Sequence, residues 1–555
     1  MLRERQAQEL SALLKGETFE WSILILDKEG QDVISPLFVM TDLMEVGVVQ
    51  CLKMEDVRER NPETRAIYFV KASEENVDRI VEDAKMDLYS RVEVLFTGIV
   101  STSLLRDMSI RLASIKEANR VVKVFDAIST HSCLHENMYT LGIEKSYAQT
   151  VRMTESLGVS PVALAQAEMA EHADAPGDDT GEASPEGESE NAGEQEEYVE
   201  KAKMALLSIF KGMPAPAVYH NHKLSQRIAA GFLERLAEIA DLQGGRASSR
   251  LRKAKRPLLI ILDRSEDLVG PMYHTNSYGA MINEIFDFKL NKLVIHDAVK
   301  KAGESTGEAA YNLNRYDEFY NENINEPFTS VVDKVNEDLL AYKEMSSSTA
   351  INMNSGNEEM MKSLVKLPDL VGKNKLLYNH MNIVLNAIEA IKSKHLDELF
   401  SIEEGKSLDL AEVEEAVGKI DETELTRLCV IVQNRFSRQY PDVYKMAEGR
   451  VKNSPVLKYV EENTVKHGMR SKIINNLKKM IGVGKDGVLR RIEEVYTKRA
   501  EEYSSVNVFI LGGGTYEEYR AVVEYGKAQG VEVSYGSTEI FSAPEFISQI
   551  KSIAE

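Results

Sequence analysis

Only three cysteines occur in 555 residues, Cys51, Cys133 and Cys429, an odd number spread far apart. They form no C-x-x-C pair and offer no disulfide framework, which fits a reducing compartment. No run of about 18 or more apolar residues exists to cross a bilayer. The amino terminus, MLRERQAQEL, is charged and lacks the apolar core of a secretory signal. The expected setting is the cytoplasm, with any membrane association indirect. Positive charge is also short: 67 Lys and Arg face 89 Asp and Glu, a net charge of -22. Nucleic-acid binding needs a basic footprint, so this balance argues against it. Between Arg152 and Lys201 there is neither Lys nor Arg. The middle of that stretch, 171–197, is dominated by Glu, Asp, Gly, Ala, Ser and Pro without apolar periodicity. It is expected to be a disordered acidic insert, because it cannot bury enough surface to offset its ordering entropy.

Catalytic constellations are missing as well. Gly512-Gly513-Gly514 lies between a strand and a helix, but it lacks G-x-G-x-x-G spacing and a G-K-[ST] ending, so no lysine reaches a phosphate. His131, Cys133 and His135 are zinc-compatible, yet no second ligand pair stands at conventional spacing. Asp263 and Asp267 offer hard oxygens without a completing ligand set, and Arg264 is a local ion-pair partner. No metal and no cofactor is expected.

What is present reads as several globular cores: 43% of residues are hydrophobic and 28% charged, in a chain long enough for about three to four domains. The organising stretch is Lys255–Ile295. Its first part, Pro257–Leu262, is a continuous apolar run that needs burial on both faces, as in a parallel sheet. It ends in Asp263-Arg264-Ser265-Glu266-Asp267, at the edge where open α/β sheets usually place ligands. Toward the amino terminus, Trp21–Leu26, Val48–Leu52, Arg65–Val70 and Val92–Phe96 read as strands. Helices alternate with them, including one from Ser73 to Tyr89 capped by Ser73 and one over Ser101–Ile115. Order resumes after the insert with a helix over Tyr198–Phe210, a short strand Ala217–His220 and a helix over Leu224–Leu242. Arg246–Arg256 reads as a basic connector.

After Ile295, Lys301–Tyr311 reads as a loop and the chain becomes mostly helical. Phe328, Val331, Val332, Val335, Leu339 and Leu340 follow i, i+3, i+4, i+7, i+11, i+12, one face of an amphipathic helix. Ser346–Gly356 reads as a turn, a helix bearing Met360, Met361, Leu364 and Val365 follows it, and a long helix covers Lys375–Phe400. Further helices are expected over 408–417, 422–432, 441–451 and 473–481. Near the end the α/β pattern returns, with a strand at Val506–Leu511, a helix capped by Thr515, a strand at Val531–Tyr535 and a helix over Ala543–Ile553. Two strands and their helices are too few to fold alone, so they are expected to join the Pro257–Leu262 strand.

Three stretches carry a resemblance to a known family. R-P-L-L-I-I-L-D-R-x-x-D-L, then H-x-x-x-Y-x-x-M and D-F-K-L-N in the organising stretch resemble the SM (Sec/Munc-like) regulators of SNARE-dependent vesicle fusion. W-S-I-L-I-L-D-x-x-G-Q-D-V-I-S-P-L at the start and F-I-L-G-G-G-T-Y-E-E-Y near the end are similar to its Sly-type ER–Golgi branch. The resemblance implies a fold of class α/β plus α, an arch of three domains. Two are parallel-sheet domains, 1–128 and a discontinuous one formed by 129–267 and 468–555. The third, 268–467, is mostly helical and carries a hairpin at about 328–367.

The resemblance also implies function. The first domain would hold an apolar pocket for the amino-terminal peptide of a syntaxin-type (Qa) SNARE, made by Leu105, Met108 and Ser109 on one helix and by Val121 and Val124 on the next. The hairpin, through Val331, Val335 and Leu339, would hold SNARE helices in register. Implied partners are that SNARE, other SNAREs and their bundle, and tethering factors; the protein would be a monomer and not an enzyme. Two alternatives stay open: an endosomal, vacuolar or exocytic branch of the same family, and a nucleotide-dependent α/β enzyme using the Asp263 edge.

Overall fold

The computed structural model describes residues 1–15, 21–115, 120–156, 191–242, 255–298, 307–352, 357–405, 410–436, 454–464 and 503–555. They pack as two units. The first draws on Met1–Glu266, Val488–Gly514 and Val522–Ile540, the second on Asp267–Gly487, Thr515–Ala521 and Phe541–Glu555.

In the first unit, α1 (Leu2–Lys15) precedes β1 (Ser22–Leu26), the sequence SILIL, in which every residue is buried. The chain continues through α2 (Lys28–Ile34), α3 (Met40–Glu45), β2 (Val48–Lys53), β3 (Asn61–Val70), α4 (Glu74–Lys85), β4 (Tyr89–Phe96), α5 (Thr102–Ala113) and β5 (Val121–Asp126). The strands form one parallel sheet in the order β2-β1-β3-β4-β5. Alternation within each strand sends side chains to two cores. Leu24, Leu26, Ile67, Phe69 and Leu95 go to one face, with α1 and α2. Ile23, Ile25, Tyr68, Val70, Val92, Val94 and Phe96 go to the other, with α4 and α5. Ser73 caps α4 as expected, its hydroxyl accepting from the Asn76 amide at 3.3 Å.

The second sheet of this unit uses β6 (Ser132–His135), β7 (Met138–Thr140), β8 (Ala217–His220), β9 (Arg256–Asp263), β13 (Tyr503–Leu511) and β14 (Glu532–Ser537), in the order β6-β7-β14-β13-β9-β8. The organising strand is β9, buried at seven of its eight residues. The late strand β13 lies parallel beside it, from Val506 opposite Leu258 to Leu511 opposite Asp263. The expected joining of chain ends some 240 residues apart is therefore realised. Helices α6 (Ser146–Ser156), α7 (Asn191–Phe210) and α8 (Lys223–Leu242) belong to this part of the unit. Of the expected acidic insert, 171–190 lies outside the described residues, but 191–197 is helical, the opening of α7. Glu196 pairs with Arg227 at 2.6 Å and Glu197 with Lys71, all four side chains staying about half exposed, and the buried Tyr198 and Val199 anchor the next turn.

The second unit opens with α9 (Tyr278–Ile285) and a small antiparallel sheet of β10 (Asp287–Lys289), β11 (Lys292–Ala298) and β12 (Gly307–Asn312). The end of the expected 301–311 loop is thus a strand, because GEAAYN alternates and finds β11 as its partner. Helices α10 (Glu318–Asn323), α11 (Phe328–Asn352), α12 (Asn357–Lys394), α13 (Leu396–Glu404), α14 (Leu410–Lys419), α15 (Glu422–Phe436) and α16 (Pro455–Thr464) follow. After β13 come α17 (Tyr516–Gln529) and, after β14, α18 (Ala543–Ala554). The last helix packs with the second unit, burying Phe546 and Ile550 behind a Ser542–Glu545 capping box.

Three expectations about this helical part change. The expected turn at 346–356 is helical through Asn352, since SSSTAIN contains neither Gly nor Pro and each Ser or Thr costs only tenths of a kcal/mol. Helix α12 runs unbroken from Asn357 to Lys394, where two helices were expected. The expected Lys375–Phe400 helix instead breaks at His395, whose φ of 54° is left-handed. The basic connector up to residue 254 and the helices expected over 441–451 and 473–481 lie outside the described residues.

Candidate functional site

Ser101 starts α5 by accepting from the Leu104 amide at 3.2 Å. From there the sequence TSLLRDMSIRLA turns Met108 and Leu112 into the sheet and leaves Leu105, Ser109 and Ile110 outside. Met108 is 1% exposed and Leu105 37%. The Ser109 hydroxyl donates to the Leu105 carbonyl at 2.7 Å.

Val121 and Val124 do not lie on a helix. They belong to β5, because VVKVFD is rich in β-branched residues and lies beside β4. Residues three apart in a strand ordinarily point to opposite faces. Here the register shifts by one residue after Val121, so that Val121 lies opposite Val92 and Val124 opposite Val94. Val92 and Val94 both face the core under α5, so Val121 and Val124 share that face. Val121 is half-buried and packed against this core, while Val124 remains 37% exposed. Among the described residues β5 pairs only with β4, so it is an edge strand.

The five residues the resemblance singled out are thus divided. Met108 is closed and Val121 half-closed, while Leu105, Ser109 and Val124 are open. Sequence reasoning missed Ile110, Val122 and Phe125, which are also exposed. Leu105 and Val124, left in water beside a free strand edge on the α5 side of the sheet, are the open apolar part of this face, while Phe125, opposite Leu95, belongs to the sheet's other side. Charge lies at its margin: Lys123 sits 5.5 Å from the Phe125 ring centroid, and Arg111 holds Asp78 at 2.6 Å and Asp107 at 3.1 Å. Asp126 accepts from the Val100 amide, and burial raises its pKa.

The hairpin residues are placed differently. Val331, Val335 and Leu339 are buried where α11 packs on its neighbours, so they are core residues and not a surface. Their periodicity described the inward face of the helix. The outward face carries Asp333, Asn336 and Leu340, with Leu340 60% exposed, and α12 exposes Tyr378 and Leu385.

Two polar networks were not foreseen, although H-x-x-x-Y-x-x-M contains their anchors, His274 and Tyr278. His274 places Nδ1 2.5 Å from Glu403 Oε1 and Nε2 3.0 Å from Glu424 Oε2, and its amide donates to Glu403 Oε2 at 2.9 Å. Arg427 completes the cluster by donating to Glu284, to Glu424 at 3.3 Å, and to the Met272 and Tyr273 carbonyls. Burial and Arg427 disfavour a charged ring, but the two carboxylates outweigh them and raise the His274 pKa. Burial alone would push Glu424 upward; the His274 hydrogen bond and Arg427 bring it down to about 2. Atoms of His274, Glu284 and Glu424 lie within 4.8 Å of one another, a metal-like spacing. The guanidinium already supplies the cation there. In the second network the Tyr278 hydroxyl lies 2.7 Å from His380 Nδ1, and His380 Nε2 lies 2.9 Å from Asp317, which also caps α10.

The edge below β9 is likewise occupied. Asp263 Oδ1 accepts from the Ser265 amide and hydroxyl, and Arg264, 1% exposed, donates to the Gly513 carbonyl at 2.9 Å. The amides of Gly512 and Gly513 both go to the Thr538 hydroxyl and that of Gly514 to the Glu539 carbonyl. No amide of this turn is left to cradle a phosphate, which removes the physical basis of the nucleotide reading. Nor do His131, Cys133 and His135 converge on a metal. His131 pairs with the Ser208 hydroxyl at 2.5 Å, and burial depresses its pKa to about 3 and raises the Cys133 thiol to about 12.

One parallel sheet, a second sheet parallel but for its β6–β7 edge, and a large helical section define a protein of class α/β plus α. The chain matches the Sec1 family over residues 22–431 and 406–549 and belongs to that family. Within it the likeness is to the Sly branch. "SEC1 family transport protein SLY1" of Encephalitozoon cuniculi is 25% identical over 99% of this chain and 99% of that protein. A crystal structure of Sly1p in complex with an N-terminal peptide of Sed5p covers 100% of this chain and 98% of its own, at TM-score 0.69 and 19% identity. The SM protein Vps45 in complex with the Qa SNARE Tlg2 covers 100% and 98%, at TM-score 0.73 and 16% identity. These two structures establish the likeness of fold.

Proposed function

We propose that this Sly-type chain binds a syntaxin-type (Qa) SNARE through the SNARE's amino-terminal peptide and promotes assembly of the SNARE bundle in ER–Golgi transport. The observation that carries the reading is the open apolar face of α5 and β5. Sly1p, similar in fold along the whole chain, is known in complex with an N-terminal peptide of Sed5p, and Vps45 with a Qa SNARE. An amino-terminal peptide would lay apolar side chains between Leu105 and Val124 against the free edge of β5. The helical hairpin would then guide SNARE helices along its outward face, including Leu340, lowering the entropy lost on zippering by preorganisation. In this reading the protein is an adaptor and not an enzyme, uses no cofactor, and works in the three-domain arrangement the family resemblance implies. No helix among the described residues is long and apolar enough to cross a membrane, so its association with ER and Golgi membranes would run through the SNAREs.

The test is a titration of the full chain with fluorescent amino-terminal peptides from a panel of syntaxin-type SNAREs. Leu105→Asp and Val124→Asp should each weaken the cognate peptide at least ~10-fold, while an ER–Golgi syntaxin should bind better than endosomal or exocytic ones. Equal binding by wild type and both variants would sink the assignment of this face. Preference for another syntaxin class would move the protein to another branch.

A further inference from the structure

A hydroxyl group stands beside the exposed Leu105 on α5. Ser109 lies one turn beyond Leu105, is exposed, and spends its hydroxyl proton on the carbonyl of its own helix. Three residues before it, Arg106 is exposed and has no ion-pair or hydrogen-bond partner among the described residues. The helix's other arginine, Arg111, is taken by Asp78 and Asp107. An exposed serine with an uncommitted arginine three positions earlier suits a serine kinase whose acidic substrate cleft grips that guanidinium.

We propose that Ser109 is the phosphoacceptor of an arginine-directed serine kinase, and that its phosphorylation closes the α5–β5 face. The second half rests on the peptide reading of that face. In the transfer, the Ser109 Oγ–P bond forms with the γ-phosphoryl group of ATP and the bond from Pγ to the β,γ-bridging oxygen breaks. The hydroxyl proton passes to the kinase's base, and ADP leaves.

Access requires α5 to open locally. The helix has 12 residues and is held in its last turns by two buried side chains, Met108 and Leu112, so the opened state is a minor population on which a kinase would draw. Ser114 also has an arginine three residues before it, but that is Arg111, already held by two carboxylates. It is the internal control.

The phosphate would add a charge of about −1.5 to −2 beside Leu105 and Ile110. An apolar occupant would have to strip water from that dianion, a loss that the single exposed Arg106 does not offset. Arg106, at i−3, reaches the phosphate along the same helix side. It holds the modified helix together against the unfavourable placement of negative charge toward a helix carboxyl end.

The experiment treats the full chain with ATP, Mg²⁺ and an arginine-directed serine kinase, locates phosphate by mass spectrometry, and titrates the syntaxin-type amino-terminal peptide before and after. The expected result is one phosphate on Ser109, absent in Ser109→Ala and reduced in Arg106→Ala. Peptide affinity should fall at least ~10-fold on phosphorylation and in Ser109→Glu, recover with phosphatase, and show no change on kinase treatment of Ser109→Ala relative to that variant untreated. An unchanged unfolding midpoint for Ser109→Glu would separate loss of binding from loss of fold. No phosphate on Ser109, or preference for Ser114, overturns the acceptor assignment. Phosphate on Ser109 with peptide affinity held within about two-fold overturns the closing of the face. If the unmodified chain binds no peptide, the peptide reading fails by itself and takes the closing with it, while the mass measurement still decides the acceptor.

Discussion

Replacing Arg427 with methionine removes a guanidinium that is 1% exposed and serves four acceptors at once. The aliphatic stem is kept, so the cavity is small and the loss is electrostatic. Glu284 and Glu424 remain buried without their cation, and the Met272 and Tyr273 carbonyls lose their donor. Breaking a buried pair by removing one partner costs about 3–5 kcal/mol, and each orphaned carbonyl adds about 1–3 kcal/mol if no water reaches it. These terms overlap, because the loop at 272–273 will relax once released. The expected loss is therefore roughly 4 kcal/mol, set by the ion pair. Urea unfolding followed by circular dichroism reads it as a lower midpoint. A triple variant that also neutralises the acids, Arg427→Met with Glu284→Gln and Glu424→Gln, should recover most of the loss, since an apolar or neutral replacement of the whole cluster is nearly free. A single-variant loss below about 1 kcal/mol, the range of an exposed pair, would refute the reading of Arg427 as the cation of a buried ion pair.

The same cluster sets a pH window. His274 has a raised pKa in the folded protein, so its contribution is complete below the ordinary value of 6.5 and is lost as pH rises through the folded value. Glu424, lowered to about 2, contributes fully above its ordinary 4.5 and loses that contribution as pH falls toward 2. The urea midpoint should therefore be highest between about pH 5 and 6.5 and flatten on both sides in His274→Gln. Tyr278→Phe should cost about 0.5–1.5 kcal/mol by deleting the hydroxyl bond to His380, with little change in burial; no change would mean that the Tyr278–His380–Asp317 chain is idle. Gly512→Ala should destabilise by about 1–3 kcal/mol, because φ is +87° and the new Cβ would stand 3.0 Å from the Arg264 Cβ. Thermal unfolding that matches wild type would exclude strain at this turn.

The legibility of the chain followed the range of the forces involved. The buried strands at Ser22–Leu26, Pro257–Leu262 and Val506–Leu511 were readable because a strand covered on both faces must be apolar throughout. The caps at Ser73 and Thr515 were readable because each bonds an amide three residues away. Joining β13 to β9 was readable because a lone strand pair cannot bury its faces. The outward or inward sense of an amphipathic stripe was not. Val331, Val335 and Leu339 have the spacing of a docking surface and of a packing seam alike, and only the presence of neighbouring helices decides between them. The strand at Val121–Asp126 carried a local signal in the β-branched residues of VVKVFD, but its one-residue register shift against β4 was not legible.

By itself, the sequence determined the class: strands and helices of α/β type, with a mostly helical section inserted in the chain between β9 and β13. Apolar runs, caps and turn residues act over a few positions, and that is enough to specify them. Only the tertiary structure decided which side chains are free to meet a partner. A one-residue register shift in β5 turns Val121 and Val124 to one face, and burial closes Met108 while leaving Leu105 open. His274 and Tyr278, four positions apart in one motif, were sent to separate buried networks that reach Arg427, 153 residues from His274, and Asp317, 39 residues from Tyr278. Exposure and pairing depend on what the rest of the chain packs against a residue, and no local pattern carries that information.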